Sequence, residues 1–70
     1  MNIYAEKGTK IRFSNPDAGY TPHQETAKDY LRVGVEYTVD HTDVGNWHTD
    51  VYIAEVPDTA FNSVMFEEVN

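Results

Sequence analysis

Two copies of the triplet His-Thr-Asp, His41-Thr42-Asp43 and His48-Thr49-Asp50, flank a short turn-forming stretch in a chain of 70 residues. Imidazole nitrogens and carboxylate oxygens are the donor set of many divalent-metal sites, so the first question is whether the two triplets converge. Strand register decides it. With a two-residue loop between them, all four side chains would lie on one face of a hairpin. With a three-residue loop, His41 and Asp43 point to one face while His48 and Asp50 point to the other.

The apolar pattern selects the second arrangement. Val35, Tyr37 and Val39 alternate with Glu36, Thr38 and Asp40, which predicts a strand over residues 35–43 with one dry face. Val51 and Ile53 alternate with Asp50 and Tyr52 on a return strand over residues 47–56. Both apolar sets share a side if Val44-Gly45-Asn46 is the loop, with Asp43 opposite Trp47, Val39 opposite Val51 and Tyr37 opposite Ile53. Asn46 then takes the left-handed position. In this register no metal site and no cofactor are expected.

Other chemistry finds little to work with. The chain has no cysteine, no Gly-rich phosphate loop and no serine in a nucleophile elbow, and Glu67 and Glu68 diverge if extended. A non-enzyme is expected. His23, beside Pro22, reads as a surface residue.

The wet face of the hairpin would carry Glu36, Thr38, Asp40 and Thr42 on one strand and His48, Asp50, Tyr52 and Ala54 on the other. Asp40 opposite Asp50 is a like-charge pair that costs stability unless a cation matches it. This face reads either as an ordinary solvated sheet surface or as an acidic docking face with His48 and Tyr52 as contacts. Trp47, at the hairpin end, is either a lid over Val39 and Val51 or an exposed anchor for a partner, and the register favours the lid.

Twelve acidic residues against five basic ones give a formal charge of −7. Nucleic-acid binding rests on Lys and Arg, so direct binding of that kind is not expected. A basic protein partner fits the charge, and so does plain solubility. A rival reading is a small-ligand binder in which a homo-oligomer buries a nucleotide-like anion against Lys10, Arg12 and Arg32. No run of 18 apolar residues is present, and the first residues lack the apolar core of a signal peptide, so a soluble cytoplasmic protein with no membrane contact is expected. A core of this size supplies about 3 to 5 kcal/mol, with no disulfide to help it. Nine aromatic residues favour good packing; self-association is the other route.

The remaining elements follow from local pattern. Residues 9–14 alternate as a first strand, with Ile11 and Phe13 on one face and Lys10 and Arg12 on the other. Asn15-Pro16-Asp17-Ala18-Gly19 is a turn. Thr21-Pro22, with Gln24 completing a capping-box pattern, predicts a helix of about two and a half turns that buries Ala27, Tyr30 and Leu31 and ends at Gly34. Pro57-Asp58 predicts a turn and residues 59–61 a short strand. A single helical turn near residues 62–65 then leads to a closing strand paired with the first.

This order of elements, and Phe61-Asn62-Ser63-Val64-Met65-Phe66-Glu67 in particular, resembles an SH3-like barrel. There a strand enters a one-turn 3₁₀ helix of the form aromatic-Pro-Ser-Asn-Tyr-Val before the last strand; the proline is absent here. The resemblance implies a single mainly β domain over residues 1–70, about five strands in a small SH3-like barrel, with one short helix inserted after the first strand. In signalling members an aromatic-lined groove binds polyproline peptides, and Tyr20 and Trp47 stand where such aromatics would be cast. Tyr30-Leu31-Arg32-Val33-Gly34-Val35-Glu36-Tyr37-Thr38-Val39, together with the same tail, is also similar to small proteins of bacteriophages and Gram-positive mobile elements. That likeness implies a phage accessory protein that binds and modulates or blocks a host protein, or acts as a ligand sponge against host defence signalling, or serves as a structural phage component. Asp40, Trp47, His48, Asp50, Tyr52 and Tyr20 are the candidate partner-binding residues.

Overall fold

Burying Ile11 and Phe13 leaves Lys10 and Arg12 on the opposite face of one strand, and the backbone groups of that strand are paired on both edges. A computed structural model describes residues 1–69, with Lys10–Phe13 as strand β1 between β2 (Glu36–Val44) and β5 (Phe66–Glu68), antiparallel to both. Adding β3 (Thr49–Ile53) and β4 (Val56–Asn62) gives one five-stranded antiparallel sheet in the order β4-β3-β2-β1-β5. The protein is mainly β with one short helix after the first strand, as expected. β4 and β5 are the two edges of the hydrogen-bonded sheet, joined through the 3₁₀ turn Ser63–Met65.

One apolar cluster fills the concave side. Ile11, Phe13, Val39, Val51, Ile53, Met65 and Phe66 are almost completely buried, and Phe13 lies directly opposite Phe66 with ring centroids 5.7 Å apart. Helix α1 (Thr21–Tyr30) contributes Ala27, and the residue after it contributes Leu31. Tyr30 departs from the expected buried face. It is 58% exposed and only meets Phe61 edge-on at 6.4 Å, because the helix stops at Tyr30 and Leu31 is already extended, turning inward in its place.

The helix start differs too. Tyr20, not Thr21, is the N-cap, and it makes no side-chain cap bond; Gln24 donates instead to the carbonyls of Asp17 and Gly19, fastening the preceding turn. Gly34 serves the next turn rather than the helix end. Its φ of +87° is a conformation that side-chain-bearing residues rarely adopt.

β4 begins earlier than the proline suggests. The turn falls at residues 54–55, and Pro57 lies within the strand, where a missing N–H is tolerated because β4 is an edge. The ladder with β3 is irregular between Tyr52 and Ile53, so residues 57–59 are looped out of it. The expected tail is present: Asn62 accepts a bond from the Val64 N–H at the start of the 3₁₀ turn, and β5 pairs with β1.

The first nine residues, of which the first eight carry no clear pattern, fold back over one end of the sheet. The Met1 ammonium donates to the Phe66 carbonyl at 3.0 Å, the Thr42 hydroxyl donates to the Ile3 carbonyl at 2.8 Å, and Gly8 and Thr9 bracket Val39 with backbone bonds.

Replacing Phe66 by Ala removes a ring that touches both Phe13 and Phe61, a loss of about 3 to 5 kcal/mol for a buried Phe. That equals the whole stability expected of such a core. Urea denaturation followed by circular dichroism should find Phe66→Ala largely unfolded without denaturant, while Val35→Ala, at an exposed position, stays near wild type.

Candidate functional site

Strand β2 does not run as one uninterrupted ladder against β3. Val39 is opposite Ile53, but the next pairs are His41 with Tyr52, Thr42 with Val51, Asp43 with Asp50 and Val44 with Thr49. The register shifts by one residue between Val39 and His41, leaving Asp40 without a cross-strand partner, a one-residue bulge. The hairpin then closes through a four-residue loop, residues 45–48, with the Gly45 N–H donating to the His48 carbonyl at 3.0 Å.

This overturns the expected register. Asp43 is not opposite Trp47, Val39 is not opposite Val51, and Asn46 does not adopt positive φ. The physical reason is parity. One extra residue in β2 exchanges its two faces from that point to the turn, so Thr42 now lies on the inner side against Val51 while His41 and Asp43 point outward. The triplets therefore do not split between faces: His41, Asp43, Asp50 and Tyr52 share one. Asp40 is not opposed to Asp50; Asp43 is.

The shared face still makes no metal cage. Among the described residues, no three His, Cys, Asp or Glu side chains stand close enough together to hold an ion. His41 stacks on Tyr52 with centroids 4.3 Å apart and planes 11° from parallel. Its Nδ1 also lies 2.7 Å from Asp40 Oδ2, and Lys7 Nζ approaches the other Asp40 oxygen at 3.6 Å. The bond to His41, with the positive charges of Lys7 and His41 behind it, holds the Asp40 carboxyl below the ordinary aspartate range against a smaller opposing effect of desolvation.

At the hairpin end His48 Nε2 lies 2.9 Å from Asp50 Oδ1. Its ring packs against His23 at 4.9 Å and against Tyr20 at 5.9 Å, and Tyr20 meets His23 edge-on at 5.2 Å. His23 is thus half-buried rather than a plain surface residue, and its Nδ1 stands 3.3 Å from the Asn62 side-chain amide. Asn62, 3% exposed, ties the 3₁₀ turn to the first turn of the helix. Sequence pattern gives no hint of the Tyr20–His23–His48 cluster, whose members lie up to 28 residues apart.

Trp47 is not a lid. Its indole is 88% exposed. With Asp43, Gly45, Asn46, His48 and Asp50 it lines an open concavity of about 230 Å³. The four-residue loop carries it outward, beyond the reach of Val39 and Val51.

The basic residues are elsewhere. Lys10 donates to the Thr38 hydroxyl, and Arg12 lies between Glu67 at 3.1 Å and Glu36 at 3.8 Å on the outer face of β1. Arg32 follows the helix, with its backbone N–H bonded to the Tyr37 hydroxyl. Lys10 and Arg12 share a strand face; nothing in the hydrogen bonds or ion pairs of the described residues draws Arg32 to them.

The sequence profile of a family described as Bacteriophage T4 protein Y07B matches residues 2–70. The chain belongs to this family. The likeness to small phage proteins is upheld at that level. No curated protein and no solved structure matches the chain. Among the described residues, no helix is long and apolar enough to cross a membrane.

Two measurements bear on this region of the Y07B-family fold. A carboxyl whose folded pKa is depressed contributes stability that is present above its unfolded pKa and is lost as pH falls through the folded value. Wild type should therefore exceed Asp40→Asn in urea midpoint at neutral pH, and the difference should shrink as the pH falls through and below the ordinary aspartate range. Asn62→Ala should lose about 1 to 2 kcal/mol, read from urea midpoints, since it strips a cap and a buried amide contact together.

Proposed function

We propose that this chain is a non-catalytic phage accessory module that docks on a basic protein of the bacterial host through the acidic end of its β2–β3 hairpin. The observation that carries the reading is the exposed Trp47 beside the Asp43–Asp50 pair. A large aromatic left in water and flanked by carboxylates is the composition of an interface anchor with an electrostatic rim. Most of the chain's cations are engaged at other acids: Lys7 at Asp40, Arg12 at Glu36 and Glu67, Lys28 at Asp17. Asp43 has no ion-pair partner among the described residues, and Asp50 has only His48.

His48 and Tyr52 belong to the docking surface in this reading, with Tyr20 at its margin. Asp40 belongs to the inner end of the hairpin, where Lys7 already answers its charge. Binding by such a face modulates or blocks a host protein by occupying its basic surface, and needs no cofactor.

The test is charge reversal. The double variant Asp43→Lys/Asp50→Lys should lose a host protein captured from bacterial lysate by wild type, while Arg12→Glu keeps it. Quantitative mass spectrometry of the captured fraction reads the difference. Raising ionic strength from about 0.1 M to 1 M shortens the Debye length from about 10 Å to 3 Å and should weaken wild-type capture. Capture that survives the double reversal and high salt would rule the reading out.

A further inference from the structure

We propose that the concavity between Trp47 and the Asp43–Asp50 pair receives a single arginine side chain of the partner. This rests on the docking reading and adds the chemistry of its anchor. The site is built from three features that call for the same group. Asp43 and Asp50 are directly opposed across an antiparallel pair, where side chains stand about 4.5 to 5.5 Å apart at Cβ and like charges repel. A cation between them removes that repulsion. His48 Nε2 engages Oδ1 of Asp50, which fixes the carboxylate and leaves its second oxygen for an incoming donor.

Trp47 lines the same concavity, which puts an aromatic ring within reach of a cation held there. Both demands together favour guanidinium over ammonium. Guanidinium is planar, stacks on an indole, presents several N–H donors in fixed directions to carboxylates, and is more weakly hydrated than an ammonium. Size agrees. The volume of about 230 Å³ is below the range of about 300 to 1,000 Å³ typical of sites for whole small molecules, and suits one side chain.

The loop that carries the indole is held in shape. A Cβ placed on Gly45 would come within 2.7 Å of the His48 carbonyl oxygen, so the tight closure of residues 45–48 requires glycine there. The His48 ring is in turn fixed between Asp50, His23 and Tyr20. The loop backbone and the His48–Asp50 side of the receptor are therefore set before the partner arrives, which lowers that part of the ordering cost of binding.

The experiment is an NMR titration of the full chain with N-acetyl-arginine amide, using the matching lysine and citrulline compounds as probes of charge shape and of charge itself. Trp47 is the only tryptophan, so its indole N–H is a unique reporter. Saturable shifts at that signal and at the amides of residues 43–50 are expected with arginine, weaker ones with lysine and none with citrulline. Trp47→Ala should weaken arginine binding about three- to fivefold, followed at the residue 43–50 amides. Asp43→Asn and Asp50→Asn should each weaken it by about tenfold. These positions are on the surface, and unchanged circular dichroism verifies that each variant is folded.

Absence of saturable shifts, equal response to citrulline, or shifts centred on β1 and β5 would overturn the proposal. If arginine fails here while Asp43→Lys/Asp50→Lys still abolishes host-protein capture, the docking face stands and the arginine receptor falls. If arginine binds as described while capture survives the charge reversal, the receptor stands and the docking reading falls.

Discussion

The acidic pair at the hairpin end depends on one unpaired residue in β2. Up to Val39, odd-numbered residues of that strand face the core, and Tyr37 and Val39 join Ile11 and Ile53 there. Past Asp40 the parity is exchanged, and Thr42 takes the inward place against Val51. A bulge of this kind also increases local twist. Its consequence here is chemical as much as geometric: the odd residues His41 and Asp43 are delivered to water beside Tyr52 and Asp50. Without it the two His-Thr-Asp triplets would occupy opposite faces and the acidic pair at the hairpin end would not exist.

The bulge is held from outside the sheet. Gly8 and Thr9 bond the backbone of Val39, Thr42 bonds the Ile3 carbonyl, and Lys7 reaches Asp40, so the first nine residues fasten both sides of the irregularity. The first eight of these have no alternation and no helical period, and their role is legible only in three dimensions. Other parts were legible locally. Ile11 and Phe13 define β1 by period two, Thr21-Pro22 opens the helix within one residue of its actual start, and Asn62 begins a 3₁₀ turn.

Two features move the hairpin register away from the one that apolar alternation predicts: the loop is residues 45–48 rather than 44–46, which displaces the pairing by three residues at the turn, and the bulge at Asp40 takes back one, so that Val39 meets Ile53. The sequence does carry a trace of the break: apolar residues stop at Val39, and positions 41 and 43 are His and Asp. Apolar alternation identifies the buried half of a strand well but has nothing to count once the strand leaves the core. Trp47 follows from the same displacement, since its burial depended on a three-residue loop. The Tyr20–His23–His48 cluster is beyond any local reading, because it joins a helix start to a hairpin end that the tertiary fold alone brings together.

The hairpin end also holds two costs that folding leaves in place. Burying a large apolar side chain is worth about 1.5 to 3 kcal/mol, a sizeable share of the roughly 3 to 5 kcal/mol that a core of this size provides. Phe13, Phe61 and Phe66 realise that gain inside the sheet, while Trp47 forgoes it at the tip. The opposed carboxylates nearby are likewise a like-charge pair, with only the bond from His48 to Asp50 to offset it. In a domain with so little stability to spare, an exposed indole in the loop and an acid pair on the strands beside it, answered only by His48 at Asp50, are costs that folding alone does not fully relieve. In the proposed docking, contact with a cationic surface would relieve both at once.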